Sequence, residues 1–270
     1  MIRVAVAGAM GRMGQRILWA LSEDLECKTV YAFERPDHPR VGQPLSTLLG
    51  IPGLELPLQG GLQKMEEIPD VLIDFTTPKA TLENAKWAFQ KGVAMVIGTT
   101  GFEKEELLEL KGYLDKIRAV LAPNMSVGVN LMFYLARVMA EILGDDFDVE
   151  ILEAHHRMKK DAPSGTALKI LEIVSQTLGR DPQRDPVFLR KGNVGERSKR
   201  EIGMQVIRAG DIVGEHTLLF GGLGERLELT HRAHSRDTFA KGAVRAAKWV
   251  VSMPEGIYDM QDVLGLRNRS

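Results

Sequence analysis

The chain has a single cysteine, Cys27, in 270 residues. No intrachain disulfide and no cysteine metal cluster can form, which fits a reducing, cytoplasmic setting. Net charge is nearly absent: 35 Lys and Arg stand against 36 Asp and Glu. That balance argues against general nucleic-acid or membrane-surface binding. No apolar run reads as long enough to span a bilayer. The N-terminus, Met-Ile-Arg-Val-Ala-Val-Ala-Gly, has the form of a strand entering a glycine turn and not of a signal peptide. There is no internal repeat and no low-complexity segment. His155 and His156 are adjacent, would point apart on a strand, and have no His-x-x-x-His companion, so no metal site is expected. The remaining composition is that of a globular protein, and the length suits one large domain or two small ones.

The first half alternates strands and helices. Ile2 to Ala7 is a short apolar run of the kind found in buried parallel strands, and Gly8-Ala9-Met10-Gly11-Arg12-Met13-Gly14 follows it. A helix pattern runs from Gln15 to about Ser22. Glycines at a first strand–helix junction permit a tight turn and close backbone approach to a pyrophosphate, although the spacing here is G-x-x-G-x-x-G. Lys28 to Phe33 reads as the second strand, and Glu34 follows it about 20 residues after the turn, where an acid meets the adenosine ribose of NAD. Arg35 beside it could instead meet the 2′-phosphate of NADP, so the pair leaves NADH and NADPH both open. Pro36 to Glu67 reads as an irregular connection with at most one short strand. Strands at Asp70–Phe75, Val93–Ile97 and Ala119–Ala122 alternate with helices at Lys79–Lys91 and Glu103–Lys116. This pattern predicts a doubly wound parallel sheet of Rossmann type. In such sheets ligands sit beyond the carboxyl ends of the strands, where Thr76-Thr77, Gly98-Thr99-Thr100 and Ala122-Pro123-Asn124-Met125 fall.

The second half has another character. A long apolar helix is predicted over Val127–Leu143, then a strand from Phe147 to Leu152. The strand delivers Glu153-Ala154-His155-His156-Arg157-Met158-Lys159-Lys160-Asp161-Ala162-Pro163-Ser164-Gly165-Thr166, and a helix follows over Ala167–Leu178. Backbone N–H groups at a helix start attract anions, lysines add charge, and a histidine exchanges protons near neutral pH. The loop therefore suits an anionic substrate that needs a proton. An ordinary N-cap at Ser164 or Thr166 in a solvated basic loop is the plainer alternative. Strand-like runs at Gly203–Arg208, His216–Phe220 and Arg226–His231 lack helical crossovers and predict a smaller α+β domain with an open mixed sheet. Thr238 to Met253 is helical again and is expected to rejoin the first domain. The expected division is 1–126, completed by 237–270, for dinucleotide binding and 127–236 for substrate binding and oligomerisation.

Several of these runs resemble the bacterial dihydrodipicolinate (4-hydroxy-tetrahydrodipicolinate) reductase family: Gly8 to Gly14, Ile97 to Phe102, Asn124 to Asn130, Glu153 to Ala167, and Arg208 to His216. The resemblance covers nearly the whole chain, and the histidine motif is highly specific. Thr77, Pro123, Met125 and Met158 depart from residues that some members carry there. The resemblance implies a cofactor turn of Gly8, Ala9, Met10, Gly11, Arg12 and Met13. Glu34 and Arg35 would lie at the adenosine ribose or its phosphate. Gly98, Thr99, Thr100, Ala122, Pro123, Asn124 and Met125 would hold the rest of NADH or NADPH. It implies His155 as proton donor or acceptor, Lys159 as a second proton donor, and His156, Gly165 and Thr166 as contacts to a dicarboxylate substrate. It also implies a cytoplasmic homotetramer. A dinucleotide-sensing protein could keep Gly8–Gly14 and Glu34, but would not need His155, His156, Lys159 and Ser164 to Thr166 together.

Overall fold

The computed structural model describes residues 1–63, 65 and 67–267; Lys64 and Glu66 of the expected irregular connection, and residues 268–270 of the expected C-terminal return, lie outside the described residues. In chain order the elements are β1 (Ile2–Ala7), α1 (Arg12–Ser22), β2 (Cys27–Glu34), α2 (Leu45–Leu49), β3 (Gln59–Gly60), β4 (Val71–Asp74), α3 (Pro78–Lys91), β5 (Ala94–Ile97), α4 (Lys104–Leu114) and β6 (Arg118–Leu121). There follow α5 (Val127–Leu143), β7 (Asp148–His155), α6 (Gly165–Thr177), β8 (Pro186–Val187), β9 (Ile202–Arg208), β10 (Gly214–Gly221), β11 (Arg226–Ala233), α7 (Asp237–Val250), β12 (Gly256–Tyr258) and α8 (Met260–Val263). Two compact units result, one of 1–127 with 236–270 and one of 128–235.

In the first unit all seven strands are parallel, ordered β12-β6-β5-β4-β1-β2-β3. This is the doubly wound order with one strand added at the β6 edge. Alternate residues of the central strands enter two different cores. Val4, Val6, Val71, Ile73, Ala94 and Val96 pack with Ile17 and Leu18 of α1 and with Ala243, Ala247 and Val250 of α7. Ala5, Ala7, Leu72, Met95 and Ile97 pack with Ala85 and Ala88 of α3 and with Leu110 and Leu114 of α4. Burial on both faces is why these strands read as continuous apolar runs with no alternation. Lys248 of α7 is tied to Asp24 and Glu26 at 2.8 and 2.7 Å, which fastens the returning segment beside α1.

Helix α1 begins three residues before the expected Gln15, because the glycine turn closes straight into it, with Gln15 N–H donating to Gly11 O at 3.1 Å. The connection expected to be irregular contains α2 and β3, and β12 and α8 follow the last long helix; none of α2, β12 and α8 is evident from periodicity, since each spans at most five residues.

In the second unit the strand order is β11-β10-β7-β9-β8, with β7, β8 and β9 parallel and the β10–β11 hairpin antiparallel. Val149 and Ile151 of β7, Met204 of β9, and Leu218 and Phe220 of β10 share a core with Val129, Met132, Phe133, Ala136 and Ala140 of α5 and with Ile170, Leu171 and Val174 of α6. The stretch Val127–Asp146 does reach the length and apolarity of a membrane span, contrary to the sequence expectation. Val129, Met132, Phe133, Ala136 and Ala140 face the core, while Leu131 and Ile142 are exposed and Arg137 and Glu141 form an ion pair on the exposed side. Strand β7 extends past the expected Leu152 to His155, because Glu153, Ala154 and His155 pair with Val206, Ile207 and Arg208 of β9.

Candidate active site

Two residues apart on β7, Glu153 and His155 share one face of the sheet. The face that carries Val149 and Ile151 into the core thus ends in a carboxylate and an imidazole. Glu153 is only 1% exposed. A buried charge is tolerated only when paired and hydrogen-bonded, and Glu153 meets that demand with four donors. Arg208 on β9 donates through both terminal nitrogens, at 2.8 Å to Oε2 and 2.9 Å to Oε1. His155 Nδ1 lies 2.6 Å from Oε2, and the Ser164 backbone N–H donates to Oε1 at 3.0 Å. Burial alone would raise the carboxyl pKa; Arg208, His155 and the Ser164 amide outweigh it and hold Glu153 below the usual range.

Ser164 caps α6. Its Oγ accepts from Ala167 N–H at 3.2 Å and lies 2.9 Å from His216 Nε2 on β10. Burial lowers His216 to about 3, so this imidazole is neutral. The His155 and His216 rings meet edge-on, 5.2 Å between centroids. Gly214 leaves the room: a Cβ there would stand 3.1 Å from His155 Nε2. Burial also lowers the His155 pKa, the Glu153 hydrogen bond opposes that shift, and Lys159 and Arg208 reinforce it. His155 is therefore neutral at pH 7 before any anion arrives.

Lys159 Nζ is held by both oxygens of Asp161, at 2.9 and 2.8 Å. The hydrogen bond from Lys159 is the main reason that Asp161 sits below the usual carboxylate range. The loop is fixed at its base, where Ala209 N–H donates to His155 O and Arg157 N–H to Gly210 O. His156 Nδ1 is buried and has no partner among the described residues. Gly165 opens α6, and a Cβ there would meet nothing within 4 Å, so the helix start is approachable. His155 and the helix start thus meet at Glu153, and Lys159, held by Asp161, is near enough to His155 to act on its charge. Sequence reasoning gave no role to Glu153, Arg208 or His216. The available signal was the two-residue spacing of Glu153 and His155 on a strand.

The first unit has its own concavity at the carboxyl ends of β1, β2 and β4. A cavity of about 500 Å³ is lined by Gly8, Glu34, Arg35, Gly61, Thr76, Asn84 and Trp87, among others. Gly8 adopts φ +63°, and a Cβ on Gly14 would lie 2.1 Å from Gly8 O, so the turn tolerates no side chain at Gly14. Glu34 Oε1 accepts from Met10 N–H at 3.0 Å, which ties the acid to the glycine turn. Arg12 and Arg35 are exposed, and Arg35 pairs with Asp37 at 3.2 Å. Beyond β5, Gly98 leaves room for the Phe75 ring, which a Cβ there would approach to 2.0 Å unless the ring moved. Thr99 is buried, its Oγ1 receiving bonds from Thr76 N–H and the Thr81 hydroxyl beside the fully buried Asp74; Thr100 is exposed. Beyond β6, Ala122 and Met125 belong to the core, Pro123 is exposed, and Asn124 Oδ1 accepts from Ser126 N–H. A helix start behind a glycine-rich turn, with an acid at the end of β2, fits a dinucleotide.

These features define a pyridine-nucleotide oxidoreductase built on a Rossmann-type unit with a second, mixed-sheet unit. Family profiles described as dihydrodipicolinate reductase, N-terminus and C-terminus, match residues 2–125 and 128–264. The 4-hydroxy-tetrahydrodipicolinate reductase of Geotalea uraniireducens is 54% identical over 267 residues, covering 99% of this chain and 100% of that one. That of Syntrophus aciditrophicus is 51% identical over 268 residues, with the same coverage. A dipicolinate-bound dihydrodipicolinate reductase from Paenisporosarcina sp. TG-14 superposes with a TM-score of 0.76 at 29% identity, over 97% of this chain and 98% of that one. An amine dehydrogenase from Mycobacterium smegmatis, at 16% identity and a TM-score of 0.57, shares the fold. The chain belongs to the dihydrodipicolinate reductase family.

Proposed function

We propose that this chain reduces 4-hydroxy-tetrahydrodipicolinate to tetrahydrodipicolinate with NADH or NADPH, in the diaminopimelate route to lysine. The observation that carries the reading is one buried carboxylate, Glu153, that holds both His155 and the start of α6, with Lys159 held by Asp161 in the loop between them. A dicarboxylate that must be both anchored and protonated needs that combination.

Gly8 to Met13 and the start of α1 hold the pyrophosphate, and Glu34 and Arg35 take the adenosine ribose or its phosphate. Gly98 to Thr100 and Ala122 to Met125 support the remainder; Thr99 contributes backbone only, since its hydroxyl is engaged with Thr76 and Thr81. The substrate loses its 4-hydroxyl with a C5 proton as water, which leaves a C4=C5 bond conjugated to the imine; when bound, the dinucleotide would supply a hydride to C4 of that conjugated imine. The reduced ring then needs one proton on carbon. His155 is neutral in the free site, and a dianionic substrate favours its imidazolium, so the proton enters with the substrate. Lys159, turned from Asp161 toward the substrate, is the second donor. The Gly165 and Thr166 amides anchor one carboxylate, and His156 contacts the other end of the ring. The family resemblance is the ground for reading the protein as a cytoplasmic homotetramer; the exposed Ile207 and Leu223 of the second unit offer apolar surface for self-association.

The test is a coupled assay in which freshly generated substrate is added with NADH or NADPH and nicotinamide absorbance is followed. Substrate-dependent oxidation is expected. Lys159→Ala and His155→Ala are each expected to lower kcat by about 100- to 10,000-fold with dinucleotide affinity retained. A wild-type protein that binds dinucleotide yet oxidises neither form sinks the proposal.

A further inference from the structure

Glu153 touches both halves of the site, and neither contact is needed to bury it. The Arg208 fork alone would neutralise the charge. The carboxylate nevertheless spends one oxygen on His155 Nδ1 and the other on the Ser164 amide. We propose that Glu153, clamped by Arg208, is the positioning residue of the reaction. It fixes His155 as the Nδ1–H tautomer, leaving Nε2 as the proton-exchanging atom, and sets the start of α6 from the same carboxylate. The inference rests on the proposed reductase chemistry and adds what orients the group that performs it.

An ionised carboxylate only accepts, so the shared proton on His155 sits on Nδ1. Nε2 then carries the lone pair in the free site and the transferable proton in the charged one. This is the logic by which a buried acid orients an imidazole in hydrolytic triads. Here the same acid reaches eleven residues along the chain to an amide of the carboxylate-binding helix start. A displacement of Glu153 therefore moves the proton-exchanging atom and the anchoring amides together. Arg208 Nη2 extends the frame to Asp161 O at 2.7 Å, and Asp161 in turn holds Lys159. The groups that face His155 are Glu153 on its own strand, Arg208 on β9, His216 on β10 and Lys159 in the following loop.

Glu153→Gln keeps the shape and removes the charge. All its neighbours are donors, so the new amide either opposes one of them or donates to Nδ1 and forces the Nε2–H tautomer. The expected result is a fall in kcat of about 100-fold or more with KM changed less than about tenfold. The limb of the kcat–pH profile that belongs to His155 moves to lower pH, because the anion that favours imidazolium is gone. A merely structural role would scale kcat without moving that limb. A Glu153→Gln protein within threefold of wild-type kcat, or with an unmoved limb, overturns the proposal. A second measurement needs no turnover and no change at Glu153: nitrogen-15 NMR of histidine-labelled wild-type protein at neutral pH, with His155→Asn used only to assign the signal. A protonated Nδ1 and bare Nε2 at His155 is expected, and the opposite tautomer overturns the proposal even if the wild-type protein reduces the substrate. Failure of the reductase assay with the expected tautomer present would instead count against the function alone.

Discussion

Lowering the pH to 5 is expected to cost the second unit about 2 kcal/mol through His216 alone. The group is buried against Ser164, and burial depresses its pKa from 6.5 to about 3. A depressed pKa means that the unfolded chain takes a proton before the folded one does. The stability is complete above pH 6.5 and is lost progressively as the pH falls toward 3. Each pH unit below 6.5 is worth about 1.4 kcal/mol, so the loss is about 2 kcal/mol at pH 5 and approaches about 5 kcal/mol near pH 3. His155 and His231 shift in the same direction, so the comparison must isolate His216. His216→Gln does this: the amide oxygen can still accept from the Ser164 hydroxyl but does not titrate. Tryptophan fluorescence would follow the wrong unit, because Trp19, Trp87 and Trp249 all belong to the first. Hydrogen exchange read by mass spectrometry on peptides covering β7, β10 and β11 reports locally, and pairing the two proteins at each pH cancels the intrinsic pH dependence of exchange. The free-energy difference between wild type and His216→Gln should narrow by about 2 kcal/mol from pH 7.5 to pH 5. A constant difference across that range would refute the assignment of His216 as a buried neutral imidazole.

Three further outcomes follow from particular contacts. Gly14→Ala drives a methyl to 2.1 Å from Gly8 O, and is expected to lower stability by about 1–3 kcal/mol and to abolish dinucleotide binding, read by thermal melting and fluorescence titration of NADH. Ser164→Ala removes the cap of α6 and the partner of His216, costs about 1 kcal/mol, and raises KM for the dicarboxylate more than it lowers kcat, read by steady-state kinetics. Arg35→Ala leaves NADH turnover in place and lowers kcat/KM for NADPH by about 10- to 100-fold, the value of one charged hydrogen bond to a phosphate; equal losses with both cofactors would remove Arg35 from the 2′-phosphate.

Much of the frame is visible in the sequence because burial on two faces writes itself as short apolar runs. Val4 to Ala7, Leu72 and Ile73, and Ala94 to Ile97 are readable for that reason. The turn at Gly8 to Gly14 and the acid at Glu34 are readable because their spacing is set by backbone geometry. The short elements α2, β12 and α8 leave no period to detect. The center of the candidate site is less visible, for a different reason. Glu153 on β7 is 55 residues from Arg208, and only the pairing of β7 with β9 and β10 brings it together with Arg208 and His216. His155 was expected in a loop and instead closes a strand, which is what aligns it with Glu153. A polar residue at the end of an apolar strand reads as a boundary, while here it is the buried floor of the site.

The central claim is that this chain delivers a nicotinamide hydride to a cyclic imine dicarboxylate. Its most direct test uses NADH or NADPH deuterated at the transferable position of the nicotinamide, freshly generated 4-hydroxy-tetrahydrodipicolinate, and NMR of the product. One deuterium is expected at C4 of tetrahydrodipicolinate, with the neighbouring carbon taking its hydrogen from solvent. Product without deuterium at C4, or oxidation of the cofactor that proceeds equally without substrate, would contradict it.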